Sequence, residues 1–403
     1  MPRVNPDILR WARETAGLTP EEAAEKLHLR EARGVSAVDR LAALETGEDE
    51  PTRPMLVTMA KHYRRPLLVF YMSAPPRKGD RGQDFRTLPE GHSDADDALL
   101  DALIRDVCAR QSMIRAVLED EEEALPLPFV GSMRTSDRAP AVLASIRETL
   151  QVNLADFRAQ PSPQDAFALL RAGAERAGVF VLLMGNLGSH HTTIDLETFR
   201  GFALADEIAP FVIINDQDSR AAWSFTLLHE LTHLWLGQTG VSGARAEVAI
   251  ERFCNDVAGE FLLPSEELVQ IELVNAADIE AAQARISDFA RERNLSSSMV
   301  AYKLYRMGAI DQDTWRLLSA AFRDRWLQER RKEREREPDR EGGPNYYMVR
   351  RHRVGTALVD LVRRMMTAGA LTTSKAGRVL RLKAKQVQAL IDIHGPSGAG
   401  RPM

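Results

Sequence analysis

Residues 229–233 read His-Glu-Leu-Thr-His, set between Ser224-Phe225-Thr226-Leu227-Leu228 and Leu234-Trp235-Leu236-Gly237. On a helix of 3.6 residues per turn, positions i and i+4 lie one turn apart on a single face. His229 and His233 can therefore aim two imidazole nitrogens at one ion, as the helical zinc signature of a metallopeptidase requires. Glu230 then stands beside the ion, placed as the general base that takes a proton from water. The flanking run is apolar nearly all round, which is the pattern of a buried helix. An unpaired buried charge is costly, so two histidines and a carboxylate in that setting need partners, and a metal provides one. The plainer alternative is that the histidines only hydrogen-bond to their neighbours.

A catalytic zinc takes three protein ligands and keeps one position open, so a third ligand must come from elsewhere. The next acidic candidates are Glu247, Glu251, Asp256 and Glu260. Residues 247–263 form a second helical pattern, with Val248, Phe253, Val257, Ala258, Phe261 and Leu262 at helical spacing before Pro264 stops it. Glu251, near the start of that run and one turn before Asn255 on the same face, is the choice for third ligand. Glu260 reads as solvated or as a residue behind the ligands, and Glu247 as a helix cap. Upstream, the period changes from helical to extended at Gly178. Val179–Met184, Phe199–Leu204 and Phe211–Ile214 are short apolar runs that predict a small three-stranded sheet before the zinc helix. An open edge of that sheet beside the metal would receive an extended peptide. Arg200, Asn215 and Arg220 sit at the ends of these elements, to steady a substrate or simply to hold the surface. His190 and His191 fall in a polar loop and are not assigned to the metal.

Several runs resemble a known family. Phe199-Arg-Gly-Phe-Ala-Leu, Pro210-Phe-Val-Ile-Ile-Asn215, Phe225 through Gly237, Glu251-Arg-Phe-Cys-Asn255 and Glu260-Phe-Leu-Leu-Pro264 are similar to the ImmA/IrrE metallo-endopeptidases, bacterial and phage zinc proteases. The resemblance covers about residues 160–310. It implies His229, His233 and Glu251 as zinc ligands, Glu230 as general base, and Zn2+ as the cofactor. It further implies a protein substrate, a transcriptional repressor cut in a stress, DNA-damage or prophage response, with single-stranded DNA as an activator. Cys254 departs from the pattern, which usually has Ala there, but keeps a small side chain before Asn255.

At 403 residues the chain exceeds what one core usually organises. A hydrophobic share of 44% and a charged share of 28% are ordinary for a soluble globular protein, and a net charge of −5 is too small for this length to inform. No run approaches the length of a membrane span and Met1-Pro-Arg-Val-Asn-Pro has no apolar leader core, so a cytoplasmic protein with no membrane partner is expected. Cys108 and Cys254 are too few for a disulfide framework, which agrees with a reducing compartment.

The expected fold is mainly α with a small β-sheet, α+β, in several parts. Residues 1–74 read as short helices at Pro6–Ala16, Thr19–Leu27, Val35–Glu45, Arg53–Tyr63 and Pro66–Tyr71. In Thr19-Pro-Glu-Glu22 the threonine caps, the proline takes the first helical position and carboxylates fill the first turn. Leu9 through Thr19, Glu22-Ala-Ala-Glu-Lys-Leu and Leu44-Glu-Thr-Gly-Glu resemble the XRE type of helix-turn-helix domain, which implies a groove-reading helix near Ser36–Ala43. His28, Arg30, Arg33, Ser36 and Arg40 are the candidate contacts to double-stranded DNA, although Glu31, Asp39 and Glu45 nearly cancel their charge. Operator binding and protein contact both fit that composition.

Residues 75–94 read as a linker, in which Asp84-Phe85-Arg86-Thr87-Leu88-Pro89 is expected to pack on the peptidase part. The peptidase domain spans 95–268, with helices near 95–124, 136–151 and 163–177. Residues 269–341 hold a helix-turn-helix-like region, with Ser296–Ser298 as a cap, and a long charged helix from 312. From 345 to 403 the chain is a basic helical module, with helices expected at 353–368, 373–381 and 383–392. That asymmetry suits nucleic acid, or packing against the acidic helices near 95–123.

Overall fold

The computed structural model describes residues 4–32, 34–76, 94–239, 247–271, 278–336 and 345–393. Arg33, the 84–89 run and Arg401 lie outside the described residues. The chain divides into two compact units, Met1–Asp106 with Asn186–Phe199, and Val107–Gly185 with Arg200–Met403.

In the first unit α1 (Pro6–Glu14), α2 (Pro20–Lys26), α3 (Ala37–Thr46) and α4 (Arg53–His62) follow the cap residues of the sequence. Thr19 closes a reciprocal capping box: its hydroxyl accepts from Glu22 N at 3.2 Å, and Glu22 Oε2 accepts from Thr19 N at 3.0 Å. The helices bury Ile8, Leu9, Leu41, Leu44, Leu56, Met59 and Phe70, the last from the 3-10 helix Leu67–Tyr71. Arg13 and Glu45 pair inside this cluster through two bonds of 2.7 and 2.9 Å. A two-point fork of that kind fixes how α1 meets α3 as well as satisfying both charges.

The second unit is built on helices and one sheet. The helix α5 (Asp94–Asp120) crosses the division between the units, followed by α6 (Ala139–Leu150), a short α7 (Leu154–Arg158) and α8 (Pro163–Arg176). Three strands follow: β1 (Phe180–Leu183), β2 (Gly201–Leu204) and β3 (Phe211–Ile214), in the order β1-β3-β2. β1 runs parallel to β3, with Phe180 opposite Phe211, and β2 runs antiparallel to it, with Gly201 opposite Ile214. Every residue of the three strands is buried. Runs as apolar as these mark strands covered on both faces. β2 is an edge strand, paired with β3 on one side, and its Gly201 lies beside Thr226 and Glu230 of the helix that follows the sheet.

Two helices carry the chemistry. α9 (Arg220–Trp235) packs against α8, β2 and β3 on one side and α10 (Glu247–Leu262) on the other. It is buried from Thr226 to Trp235. Its last turn is held from outside: Gly131 N donates to Leu234 O at 2.9 Å, Met133 N to Trp235 O at 3.0 Å, and Trp235 Nε1 to Ser145 Oγ at 2.9 Å. Carbonyls that a helix end leaves unpaired are thus satisfied, and the turn bearing His233 is fixed.

After α10 the chain returns to helices: α11 (Ile279–Arg291), α12 (Ser297–Arg306, capped by Ser296) and α13 (Gln312–Arg336). The C-terminal module is α14 (Tyr346–Val354), α15 (Thr356–Thr367), α16 (Thr373–Leu380) and α17 (Ala384–Ile391). The single helix expected over 353–368 is broken at Gly355, where φ is +90°. A Cβ there would lie 2.5 Å from Glu175 Oε1 and 2.9 Å from Val181 O, so only glycine lets the junction of α14 and α15 approach α8 and β1 this closely. Glu175 accepts from Ala357 N at 3.1 Å and from Arg171 Nε at 3.0 Å, while Arg171 also donates to His352 O and Val181 O. This buried pair joins the module to α8 and β1.

Candidate metal centre

Helical spacing and a helix–helix contact together assemble the site. His229 and His233 face α10 from adjacent turns of α9, and Glu251 reaches both from the first half of α10. Glu251 Oε2 lies 3.1 Å from His229 Nε2 and Glu251 Oε1 lies 3.1 Å from His233 Nε2. The two Nε2 atoms are 3.2 Å apart. Among the described residues this is the one set of three His, Cys, Asp or Glu side chains close enough to hold a metal ion.

The donor set fits a divalent cation. Asn255, one turn beyond Glu251, brings its Oδ1 to 2.9 Å from His229 Nδ1. An amide oxygen only accepts, so Nδ1 carries the proton in that bond and Nε2 presents its lone pair inward. Two imidazole nitrogens and a carboxylate thus converge on one point, a donor set that a cation joins. Imidazole and carboxylate suit zinc, and a three-ligand set leaves a position for water or substrate. Second partners that fix a ligand imidazole are worth about 10–100-fold in metal affinity. Asn255→Ala should therefore weaken zinc binding by about that factor, read by competition with a chelating dye, while the helices stay folded.

Electrostatics point the same way. Burial pushes the Glu251 carboxyl up, but bonds to the two imidazoles and their charge hold it well below the usual carboxylate range. Burial lowers both imidazoles; at His229 the bond to Glu251 and the charges of Glu230 and Glu251 outweigh it, and at His233 burial prevails. Burial pushes Glu230 up to about 8, with the charge of Glu251 adding to it. A neighbouring divalent cation would draw it back down, toward the form that accepts a proton.

Glu230 is 2% exposed, and its Oε2 has no hydrogen-bond partner. A buried carboxylate oxygen left without a donor destabilises the fold by about 1–3 kcal/mol, and here it stands beside three convergent ligand atoms. Gly201 of β2 makes the room for it. A Cβ at that position would lie 2.6 Å from Thr226 Cγ2, 2.9 Å from Glu230 Oε1 and 3.0 Å from Ile213 O. The run containing Gly201 stood out in the sequence, but its spatial role did not, because nothing local ties residue 201 to residue 230. Gly201→Ala should displace the Glu230 carboxylate and reduce turnover up to about 100-fold, with a stability loss of about 1–3 kcal/mol by thermal unfolding.

The other sequence candidates are placed elsewhere. Glu260 follows Glu251 by nine positions, about 180° around a helix that turns about 100° per residue. Its carboxylate accepts from Ser265 N and Oγ and pairs with Lys303 Nζ at 2.7 Å, fixing the end of α10 to α12. Asp256 pairs with Arg306 at 3.4 Å. The side chain of Glu247 lies outside the described residues. Arg200 pairs with Asp218, Arg220 donates to Gln164, and Asn215 is buried with Oδ1 accepting from Gln217 N. In the first unit, Ser36 caps α3 and its hydroxyl donates to Asp39 Oδ2 at 2.7 Å, Arg40 donates to Arg30 O at 2.7 Å, and Arg30 is exposed.

The histidine pair, the acid on the facing helix and the buried Glu230 form the arrangement of a metallopeptidase centre. Residues 174–305 match the family model of the IrrE N-terminal-like domain, peptidase M78. The match takes in the three strands, α9, α10, α11 and all but the last residue of α12, hence every member of the site, and covers about a third of the chain. It gives this segment the character of a metallopeptidase and implies a metal at the cluster. No curated protein and no solved structure matches the chain. No helix among the described residues is long and apolar enough to cross a membrane.

Proposed function

We propose that the chain is a cytoplasmic zinc-dependent endopeptidase that cleaves a protein, a transcriptional repressor, in a stress, DNA-damage or prophage response. The observation that carries the peptidase reading is the orphaned Glu230 carboxylate, buried beside three convergent ligand atoms. His229, His233 and Glu251 would hold zinc, which when bound polarises a carbonyl and makes water acidic near neutral pH. Glu230 takes the proton from water at a carboxylate oxygen and later delivers it to the leaving amine. Asn255 holds the His229 ring in the tautomer that binds, and Gly201 leaves the space in which Glu230 moves its proton.

The regulatory part rests on the company the site keeps. An N-terminal helical cluster with the spacing of a DNA-reading domain supports a protein that works beside operators, with double-stranded DNA as its partner there and single-stranded DNA as an activator. The test is to incubate the zinc-loaded full chain with the repressor encoded beside it, with and without single-stranded DNA. Discrete fragments that vanish in Glu230→Gln are expected. Specific duplex binding with no cleavage of any repressor would instead favour a DNA-binding regulator whose peptidase fold serves as a sensor.

A further inference from the structure

The basic residues of the C-terminal module fall into two groups. One group holds the module together and to the core. Arg350 donates to Leu380 O at 3.1 Å, Arg351 pairs with Asp360 at 3.5 Å, Arg353 pairs with Asp216 at 2.8 Å, and Arg364 pairs with Glu123. The second group is Lys375 and Arg378 on α16, and Lys383 and Lys385 at the start of α17. All four are exposed, and among the described residues none has an acidic partner. From Leu361 to Ile391 the sequence contains no Asp or Glu, so nothing within this stretch offsets them.

The backbone arranges these four cations in a recognisable way. α16 and α17 are joined by the three residues Arg381-Leu382-Lys383, with Arg381 in the left-handed region at φ +51°. Leu382 N donates to Gly377 O at 2.7 Å, and a Cβ on Gly377 would lie 2.8 Å from Leu382 O. Glycine there permits the tight turn between the helices. Ala376, Val379 and Leu380 of α16 and Val387 and Leu390 of α17 are buried, with α15 packed against both helices. Their apolar faces are spent on one another, and the cations take the outside.

We propose that α16 and α17 form a second nucleic-acid surface, a helix-turn-helix that binds double-stranded DNA. In that geometry the first helix crosses the phosphate backbone and the start of the second enters the major groove. Lys375 and Arg378 occupy the first position, and Lys383 and Lys385 the second. An acidic protein surface would also attract four cations, but it gives no reason for their placement on two helices joined by a tight glycine-dependent turn. The inference does not depend on the peptidase reading, because no residue of the metal cluster takes part.

The test uses the full chain and fluorescence anisotropy with a short mixed-sequence duplex, over a series of salt concentrations. Four neutralised phosphates predict a slope of log affinity against log salt of about −3 to −4. Lys383→Gln with Lys385→Gln should weaken binding about tenfold or more and reduce that slope by about 2. Lys375→Gln with Arg378→Gln should do the same, which guards against one pair acting through the fold. Arg331→Gln with Lys332→Gln, exposed on α13, should leave affinity unchanged. No duplex binding at low salt, wild-type affinity in either paired variant, or tighter binding of a hairpin RNA or of polyglutamate would overturn the proposal.

Discussion

Replacing Glu230 by Gln is expected to lower turnover by about 10²–10⁴-fold while leaving zinc in place. Glutamine keeps the volume and cannot take a proton. The same substitution should leave the metal-free protein as stable as before or more so. It replaces a buried carboxylate whose Oε2 has no donor, and whose proton affinity burial raises, with a neutral amide of equal shape. A gain in stability with a loss of activity is the mark of a site that trades one for the other. Thermal unfolding without metal and fragment yield with zinc read the two effects separately. Full activity in the variant would remove Glu230 from the chemistry.

The second large effect belongs to His233→Ala. His233 is 4% exposed and faces both Glu251 and His229, so removing it leaves a two-ligand site. Bound zinc should fall from about one per chain to near none, since a catalytic zinc requires three protein ligands. Activity should go with it. Zinc at about a thousandfold over its dissociation constant stabilises a folded protein by about 4 kcal/mol, so wild type should unfold at a higher temperature with zinc and the variant should not. Unchanged zinc stoichiometry in His233→Ala would show that the ion sits elsewhere.

These expectations rest on features that the sequence displayed to different degrees. The i, i+4 histidines and their apolar surroundings settled the burial of α9, because one periodicity fixes both the face and the environment. The three strands lie within two residues of the apolar runs that announced them. Glu251 was chosen over Glu247, Asp256 and Glu260 by its position on the helical face, and it is the acid that reaches both imidazoles.

What escaped depends on contacts distant in sequence. The break at Gly355 is imposed by Arg171, Glu175 and Val181, and the local pattern over 353–368 reads as continuous helix. α7, only five residues long, has too little periodicity to show against its surroundings. The basic tail was legible as charge, while the division of its cations into those that pack and those that face outward required the fold.

The central claim is that one zinc ion is held by two imidazoles and a carboxylate. X-ray absorption at the zinc edge of the purified full chain tests it most directly. Two nitrogen scatterers at about 2.0–2.1 Å with oxygen at about 2.0–2.2 Å are expected, and both nitrogens should be lost together in His233→Ala. Cys254 lies within one helical turn of Glu251, and burial raises its thiol. A sulfur scatterer at about 2.3 Å, or no bound zinc in the wild-type chain, would contradict the claim.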